Sequence, residues 1–419
     1  MSTFSTPRGT QDILPDDWPY WHFVHRHAEG AALEYGYRRV ETPTLAETAL
    51  FARTSGPDSD IVDKEMYSFQ DRGGDDLTLR PEGTAPVMRA YLQHGMNKLV
   101  QPIKLYYFEH MYRYDRPQRG RFREHHQFGC EAIGSDDAYV DVEMIALLDS
   151  LYRGLGLRDF SLQINTIGDA ECRPSYTRAL TEYLEANRDR LASLDRERLD
   201  RNPLRVLDSK ESSSQAIIEG APHIDEYLCP GCRNHWDKLR HGLGCLGIAF
   251  SRNQRLVRGL DYYTRTVFEF VPSCHGSQST LGAGGRYDGL AVAVGGPPVP
   301  GVGFGSGIER LVLALKEEDV VIPPGSPVDV YVAHVGAEAE DAALVLAARL
   351  RSAGFKVGMS FGSRRLKAQL KQADASGARY AAILGEDELR AGSVVVRSLA
   401  AGSQTAVPLE EIEERLRSS

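Results

Sequence analysis

The sequence predicts an α+β fold: an antiparallel sheet flanked by helices and carrying a helical insertion, followed by a small C-terminal α/β domain. Three observations predict it. Strand-like runs in the front of the chain follow one another through turns instead of helical crossovers, which favours antiparallel pairing over a doubly wound sheet. Residues 168–246 are polar and charge-rich with long helical patterns, the mark of an inserted helical subdomain. Beyond residue 325, short apolar strands alternate with helices.

The elements follow in order. A loop, Pro7 to Pro15, leads into a helix over 17–35, which a Gly36-Tyr37 break ends; a strand over 38–41 then stops at Pro43. Strand patterns recur at 77–79, 104–112, 123–133, 162–167 and 265–271, and the insertion's longest helical pattern covers 176–199. Val320-Val-Ile-Pro-Pro-Gly-Ser-Pro327 can continue neither a helix nor a central strand, so it reads as the linker between domains 1–324 and 325–419. After it come a strand over 328–335, a helix over 338–353, a re-entry at 354–357 and a basic helix over 363–376. Strands at 380–384 and 394–397 and a helix over 409–416 complete the series.

Composition narrows the function classes. The 419 residues make two or three domains at roughly 150 residues each. With 42% hydrophobic and 26% charged residues, the chain is neither disordered, collagenous nor a coiled coil. Its longest apolar stretch, at 342–348, is far shorter than the roughly 18 residues of a membrane span. The N-terminus lacks a secretion or organelle signal pattern, so a cytoplasmic protein is expected. Six cysteines are too few for a disulfide framework at this length. The net charge of −9 argues against a nucleic-acid partner only on average. Residues 325–419 hold 12 basic and 12 acidic side chains, so the whole excess lies in the front part.

Chemistry concentrates in five segments. Tyr112 to Gly129 carries Arg113, Arg116, Arg119, Arg121 and Arg123 around a turn at Pro117 and Gly120. Guanidinium forks held this densely suit a nucleotide or nucleic acid, although a solvated basic hairpin has the same spacing. Arg258-Gly-Leu-Asp-Tyr-Tyr263 is either the lining of a pocket or a strand entrance with ordinary tyrosine packing. Leu281-Gly-Ala-Gly-Gly-Arg-Tyr-Asp288 is followed by Gly301-Val-Gly-Phe-Gly-Ser-Gly-Ile-Glu-Arg310. The alternate glycines of the latter leave one strand face bare for a flat ligand, and Arg310 opens a helix; flexible turns are the commoner origin of such glycines. In Thr78-Leu-Arg-Pro-Glu-Gly-Thr-Ala-Pro86, Glu82 and Thr84 form either an ammonium-binding pair or a capped helix start. There is no GxxxxGK[ST] phosphate loop and no GxGxxG fingerprint between strand and helix. Cys229-Pro-Gly-Cys232-Arg-Asn-His235 is half of a zinc pattern, with Cys245 also available. Lacking a defined fourth ligand, these read as ordinary insertion cysteines, and no metal is assigned to them. His125-His126 reads as a hairpin arm near a substrate.

In joint occurrence and order these segments resemble the class II aminoacyl-tRNA synthetases, and within them the histidyl-tRNA synthetases, over nearly the whole chain. The strand at Pro43 resembles the dimer-interface motif, 108–134 the second motif with its acceptor-stem loop, and 301–311 the third. RGLDYY and GGRYD between the second and third motifs resemble segments peculiar to the histidine enzymes. The resemblance implies a homodimeric enzyme that joins histidine to ATP, with Mg2+, releases pyrophosphate, and passes the histidyl group to the 3′ end of histidine tRNA.

It further implies roles for particular residues. Arg113 would contact the α-phosphate, Arg121 the triphosphate and Arg310 the distal phosphates, with Arg258 between the carboxylate and the α-phosphate; Arg258 and Arg113 would be catalytic. Glu82, Thr84 and Gln127 would hold the ammonium, and Glu131, Tyr263 and Tyr287 the imidazole, with Tyr262, Arg113 and Arg258 completing the histidine site. Gln118, Arg116 and Arg119 would approach the tRNA acceptor end. Arg364, Arg365, Lys367 and Lys371 would contact its backbone from an anticodon-binding domain. Asp115 stands where the family pattern leads one to expect Glu. The synthetase-like regulatory subunit of a histidine-biosynthesis phosphoribosyltransferase is the main alternative, and it typically lacks the C-terminal domain and degrades the histidine-specific segments.

Overall fold

The structure is a computed structural model and describes residues 4–56, 61–272, 280–323, 328–362 and 364–418. Cys274, residues 324–327 of the expected linker, and Ser363 at the expected start of the basic helix lie outside the described residues. The chain divides into two compact units, Met1–Ile322 and Pro323–Ser419.

Among its described residues, the first unit has eleven strands: β1 (Arg38–Arg39), β2 (Leu45–Glu47), β3 (Tyr67–Gln70), β4 (Asp76–Leu79), β5 (Ile103–Tyr112), β6 (Glu124–Ile133), β7 (Phe160–Thr166), β8 (Phe250–Arg252), β9 (Thr264–Pro272), β10 (Gly282–Arg286) and β11 (Gly301–Gly307). Eight of them form one sheet in the order β1-β5-β6-β11-β10-β9-β7-β8, and β2-β4-β3 form a small antiparallel sheet. The central pairings, from β5/β6 to β9/β7, are antiparallel, and only the edge pairs β1/β5 and β7/β8 are parallel.

The large sheet separates two cores, because alternate residues of a strand point to opposite faces. Phe128, Cys130 and Ala132 of β6, Phe268 and Phe270 of β9, and Val302 and Phe304 of β11 pack in one core with residues of the helices Trp18–Glu34, Ala138–Gly154 and Ile308–Glu317. Tyr107, Tyr262, Tyr263, Val267 and Tyr287 belong to the second core, on the side of the candidate site.

Two expectations about the insertion need correction. The pattern over 176–199 is not one helix but Arg173–Ala186, a single turn Arg188–Arg190, and Ser193–Arg201. The Asn187 amide donates back to the Tyr183 carbonyl at 2.9 Å, and the break lets Leu191 and Leu199 both enter the insertion's own core. The insertion also ends before residue 246. Trp236, Leu239 and Leu243 of the helix Pro230–Cys245 join the main core with the helix Ala138–Gly154. Their i, i+3, i+7 stripe is hidden in the sequence by the basic and polar residues around it.

The second unit contains β12 (Val330–His334), β13 (Val357–Met359), β14 (Tyr380–Leu384), β15 (Ser393–Ser398) and β16 (Gln404–Pro408), in the order β13-β12-β14-β15-β16. The first three are parallel and the last two antiparallel, so the sheet is mixed. The sequence reading missed β16, whose burial pattern leaves four of five residues exposed, and the short helix Glu386–Arg390. The basic helix runs Leu366–Ala375, so Arg364 and Arg365 precede it.

Candidate active site

Period two along β6 sets the site. His125, Gln127 and Glu131 share the face opposite Phe128 and Cys130, and β11 pairs antiparallel beside them with Gly303 opposite Glu131. A Cβ at Gly303 would overlap the Glu131 carboxylate, and one at Gly305 would overlap the Gln127 amide. The alternate glycines therefore make room for side chains from β6 and are not bare for a ligand along their whole length, as the spacing suggested.

Glu131 is fully buried. Its Oε1 accepts from the Thr84 hydroxyl at 2.8 Å and from Tyr107 at 3.3 Å, and its Oε2 accepts from Tyr287 at 2.6 Å. Gln127 Nε2 donates to the Tyr107 hydroxyl at 3.2 Å, joining the ammonium and imidazole sides of the predicted pocket. Burial pushes the Glu131 carboxyl up to about 8, against the opposing pull of the Tyr287 and Thr84 hydroxyls. A buried carboxyl with three hydroxyl donors is a strong, directional receptor for a small polar group.

Glu82 sits at the start of the helix Thr84–Gln93 and accepts from the backbone N–H of Thr84 at 2.7 Å and of Ala85 at 3.0 Å. The capping reading is thus correct, and each oxygen keeps a second lone pair. The loop leading to Glu82 is pinned by Arg80, whose guanidinium pairs with buried Glu109 at 2.9 Å and donates to the Thr42 and His110 carbonyls.

The cleft that Glu82, Thr84 and Gln127 line has a volume of about 320 Å³, and Arg113, Arg121, Arg258 and Arg310 line it as well. Arg113 is aimed by its Nε bond to the Pro81 carbonyl at 2.7 Å, and Arg310 by bonds to the carbonyls of Gly120 at 2.9 Å and Thr280 at 2.7 Å. Arg258 is half-buried over the Tyr263 ring, 5.8 Å from its centroid, and its buried Nε has no hydrogen-bond partner. Burial together with Arg121 and Arg113 lowers the pKa of Arg310, and burial followed by Arg113 and Arg310 holds the His125 imidazole down at about 3. Cations crowded this closely are relieved by a polyanion. Asp115, the departure from the family pattern, accepts from Arg121 Nε at 2.6 Å and from the Arg116 N–H at 2.7 Å, so the shorter carboxylate orders the loop itself.

The structure brings Glu82, Thr84, Arg113, Arg121, Gln127, Arg258, Tyr262, Tyr263 and Arg310 around one cleft, with Glu131 and Tyr287 joined to it through Thr84 and Tyr107. Arg116, Gln118 and Arg119 lie outside it on the exposed hairpin tip, Arg119 paired with Glu317. Sequence reasoning missed Tyr107, Lys210 and Glu269. Tyr107 was accessible in principle, since the antiparallel register places it opposite Gly129, between Gln127 and Glu131. Lys210 reaches the cleft from the insertion, and no periodicity signals that. His235 and Cys245 do not join Cys229 and Cys232. His235 Nε2 bonds Asp141 at 2.8 Å and Thr266 at 3.1 Å, in the network of buried Arg286, and Cys245 is exposed beside His241.

Comparison with known proteins gives this geometry a family. The profile described as "Histidyl-tRNA synthetase" matches residues 9–311, and "Anticodon binding domain" matches residues 329–419. The histidine–tRNA ligase of Dehalococcoides mccartyi (strain ATCC BAA-2266) is 49% identical over 409 residues, 98% of either chain. That of Pelotomaculum thermopropionicum is 46% identical over 411 residues, 98% of this chain and 97% of that one. The crystal structure of apo S. aureus histidyl-tRNA synthetase superposes with a TM-score of 0.84 at 35% identity, covering 99% of this chain and 100% of that one. A likeness that spans both units, with a family match that runs across residues 258–288, leaves one conclusion: the chain belongs to the histidyl-tRNA synthetase family.

Proposed function

We infer that the chain is a histidine–tRNA ligase using ATP, and that the cleft lined by Glu82, Thr84, Gln127 and the four arginines is where it acts. The carrying observation is buried Glu131 with its three hydroxyl partners, joined through Thr84 to a cleft that four arginines line. A histidine carboxylate oxygen attacks the α-phosphorus of ATP, the bond to the β-phosphate oxygen breaks, and pyrophosphate leaves. A ribose hydroxyl of the tRNA terminus then attacks the histidyl carbonyl, its proton passes to the departing phosphate, and AMP leaves with the mixed-anhydride oxygen. The attacking carboxylate is already ionised at neutral pH, so positioning and charge neutralisation supply most of the acceleration of the first step.

In this reading Arg258 bridges the carboxylate and the α-phosphate, Arg113 neutralises the α-phosphate, and Arg121 and Arg310 hold the distal phosphates. Glu82, Thr84 and Gln127 take the ammonium. Glu131, Tyr263 and Tyr287 take the imidazole, with Tyr262 packing against Tyr263 and Tyr287. Apolar amino acids are rejected because they would leave these polar groups unpaired. Mg2+ accompanying the triphosphate would offset phosphate charge. Of the cleft carboxylates, Asp115 is engaged by Arg121, Glu309 by the backbone and ring of His126, and Glu82 by helix N–H groups; Glu269, which accepts from the Thr280 hydroxyl, would hold the ion.

Arg116, Gln118 and Arg119 meet the acceptor end of the tRNA, and the unit Pro323–Ser419 takes the anticodon region, with Arg364, Arg365, Lys367 and Lys371 toward the backbone. A cytoplasmic homodimer is part of the same reading; no described helix is long and apolar enough to cross a membrane. The test is pyrophosphate exchange with each of twenty amino acids, followed by charging of histidine tRNA. Exchange is expected with histidine alone, and exchange driven equally by another amino acid would overturn the assignment.

A further inference from the structure

We propose that Asp169, Cys172, Cys229 and Cys232 form a structural zinc site that closes the base of the helical insertion. Asp169 and Cys172 lie where the chain leaves β7, and Cys229 and Cys232 lie where it returns into the helix Pro230–Cys245. Among the described residues, these four donors lie within 4.8 Å of one another.

Three of the six donor separations match the edges of a tetrahedron around a small ion. Zinc–sulfur bonds of about 2.3 Å and zinc–oxygen bonds of about 2.0 Å imply edges of about 3.8 Å between sulfurs and about 3.5 Å between sulfur and oxygen. Cys172 Sγ and Cys232 Sγ are 3.7 Å apart, and Asp169 Oδ1 lies 3.5 Å from Cys172 Sγ and 3.9 Å from Cys229 Sγ. Three sulfurs and one oxygen suit zinc; calcium and magnesium take oxygen shells.

The surroundings are built for the same role. Asp169 turns Oδ1 to the thiols while Arg265 holds Oδ2, at 3.2 and 3.3 Å. The Asp169 N–H donates to Cys172 Sγ at 3.3 Å and the Cys232 N–H to Cys229 Sγ at 3.4 Å, bonds that stabilise thiolate ligands. Cys172 and Cys232 are buried, so the four protein donors form a closed site of the structural kind.

The site also has something to brace. The Arg265 N–H donates to the Gly168 carbonyl at 2.7 Å, and Arg173 donates to the Tyr263 carbonyl at 2.6 Å. Zinc would thus fasten the insertion, which carries Lys210 to the cleft, beside the Tyr262-Tyr263 wall.

The test uses the full chain, purified without a metal-affinity step and dialysed before metal analysis. About one zinc per chain is expected. After chelation, titration with Co2+ alone should give the visible absorption of a tetrahedral thiolate site. Cys172→Ser and Cys232→Ser should each lower zinc content at least about tenfold, while Cys245→Ser leaves it unchanged. Should the serine variants not fold, the cobalt titration of the wild-type chain still decides. Four free donors with no zinc and no cobalt spectrum, zinc retained in Cys232→Ser, or a Cys172–Cys232 disulfide in freshly purified protein would each overturn the site.

Discussion

Replacing Glu131 by Gln keeps the shape of the side chain and removes its ability to ionise. In the wild type the carboxyl is fully buried and bonded by Thr84, Tyr107 and Tyr287. A hydrogen bond involving a charged group contributes about 1.5–3 kcal/mol, so the histidine KM should rise roughly ten- to a hundredfold while the ATP KM moves less than about threefold. The measurement is histidine-dependent pyrophosphate exchange with each substrate varied in turn. Equal increases in both constants would refute the assignment of Glu131 to the imidazole.

The same residue makes a pH prediction of definite sign. Its carboxyl rises from 4.5 to about 8 in the fold, so between those values the folded chain holds a proton that the unfolded chain has released. Unfolding free energy therefore falls as pH rises through that window, by on the order of 5 kcal/mol, and levels off above it. Glu131→Gln abolishes this component and should unfold at higher temperature than wild type at pH 8 in the absence of histidine. Histidine binding should weaken above about pH 8 in the wild type, because the bound carboxyl–imidazole pair shares a proton that the free site then lacks, and the variant should lose that dependence. Parallel pH profiles in the two proteins would show that Glu131 is not the titrating group.

Three further outcomes are expected. Arg258→Lys loses the guanidinium fork above Tyr263, and adenylate formation should fall by about 10²- to 10³-fold; exchange near the wild-type rate would remove Arg258 from the reacting centre. Gly303→Ala puts a methyl group into the Glu131 carboxylate and 2.7 Å from the Cys130 carbonyl, so histidine KM should rise together with a loss of about 1–3 kcal/mol in stability, read by denaturant melts; an unchanged KM would show that Glu131 keeps its place. Removing residues 323–419 deletes a unit with its own cores and should lower tRNA charging at least about tenfold more than pyrophosphate exchange, whereas equal losses would deny that division of labour.

Local chemistry made much of this protein legible before folding. Alternating apolar runs joined by turns gave the antiparallel sheet, and arginines packed around Pro117 and Gly120 gave a cationic hairpin from which Arg113 and Arg121 line the cleft, because each depends on residues close together in the chain. Motif order in the sequence also singled out most of the side chains that the fold gathers around the cleft. Tertiary structure alone decided what stands opposite what. Antiparallel register put Tyr107 beside Glu131 and gave the alternate glycines of β11 their purpose, and burial then moved the Glu131 carboxyl toward neutrality. Folding also sent His235 to Asp141 and brought Asp169 and Cys172 to the Cys229–Cys232 turn across some sixty residues of insertion, a pairing no local pattern encodes because it depends on where the helix Pro230–Cys245 docks.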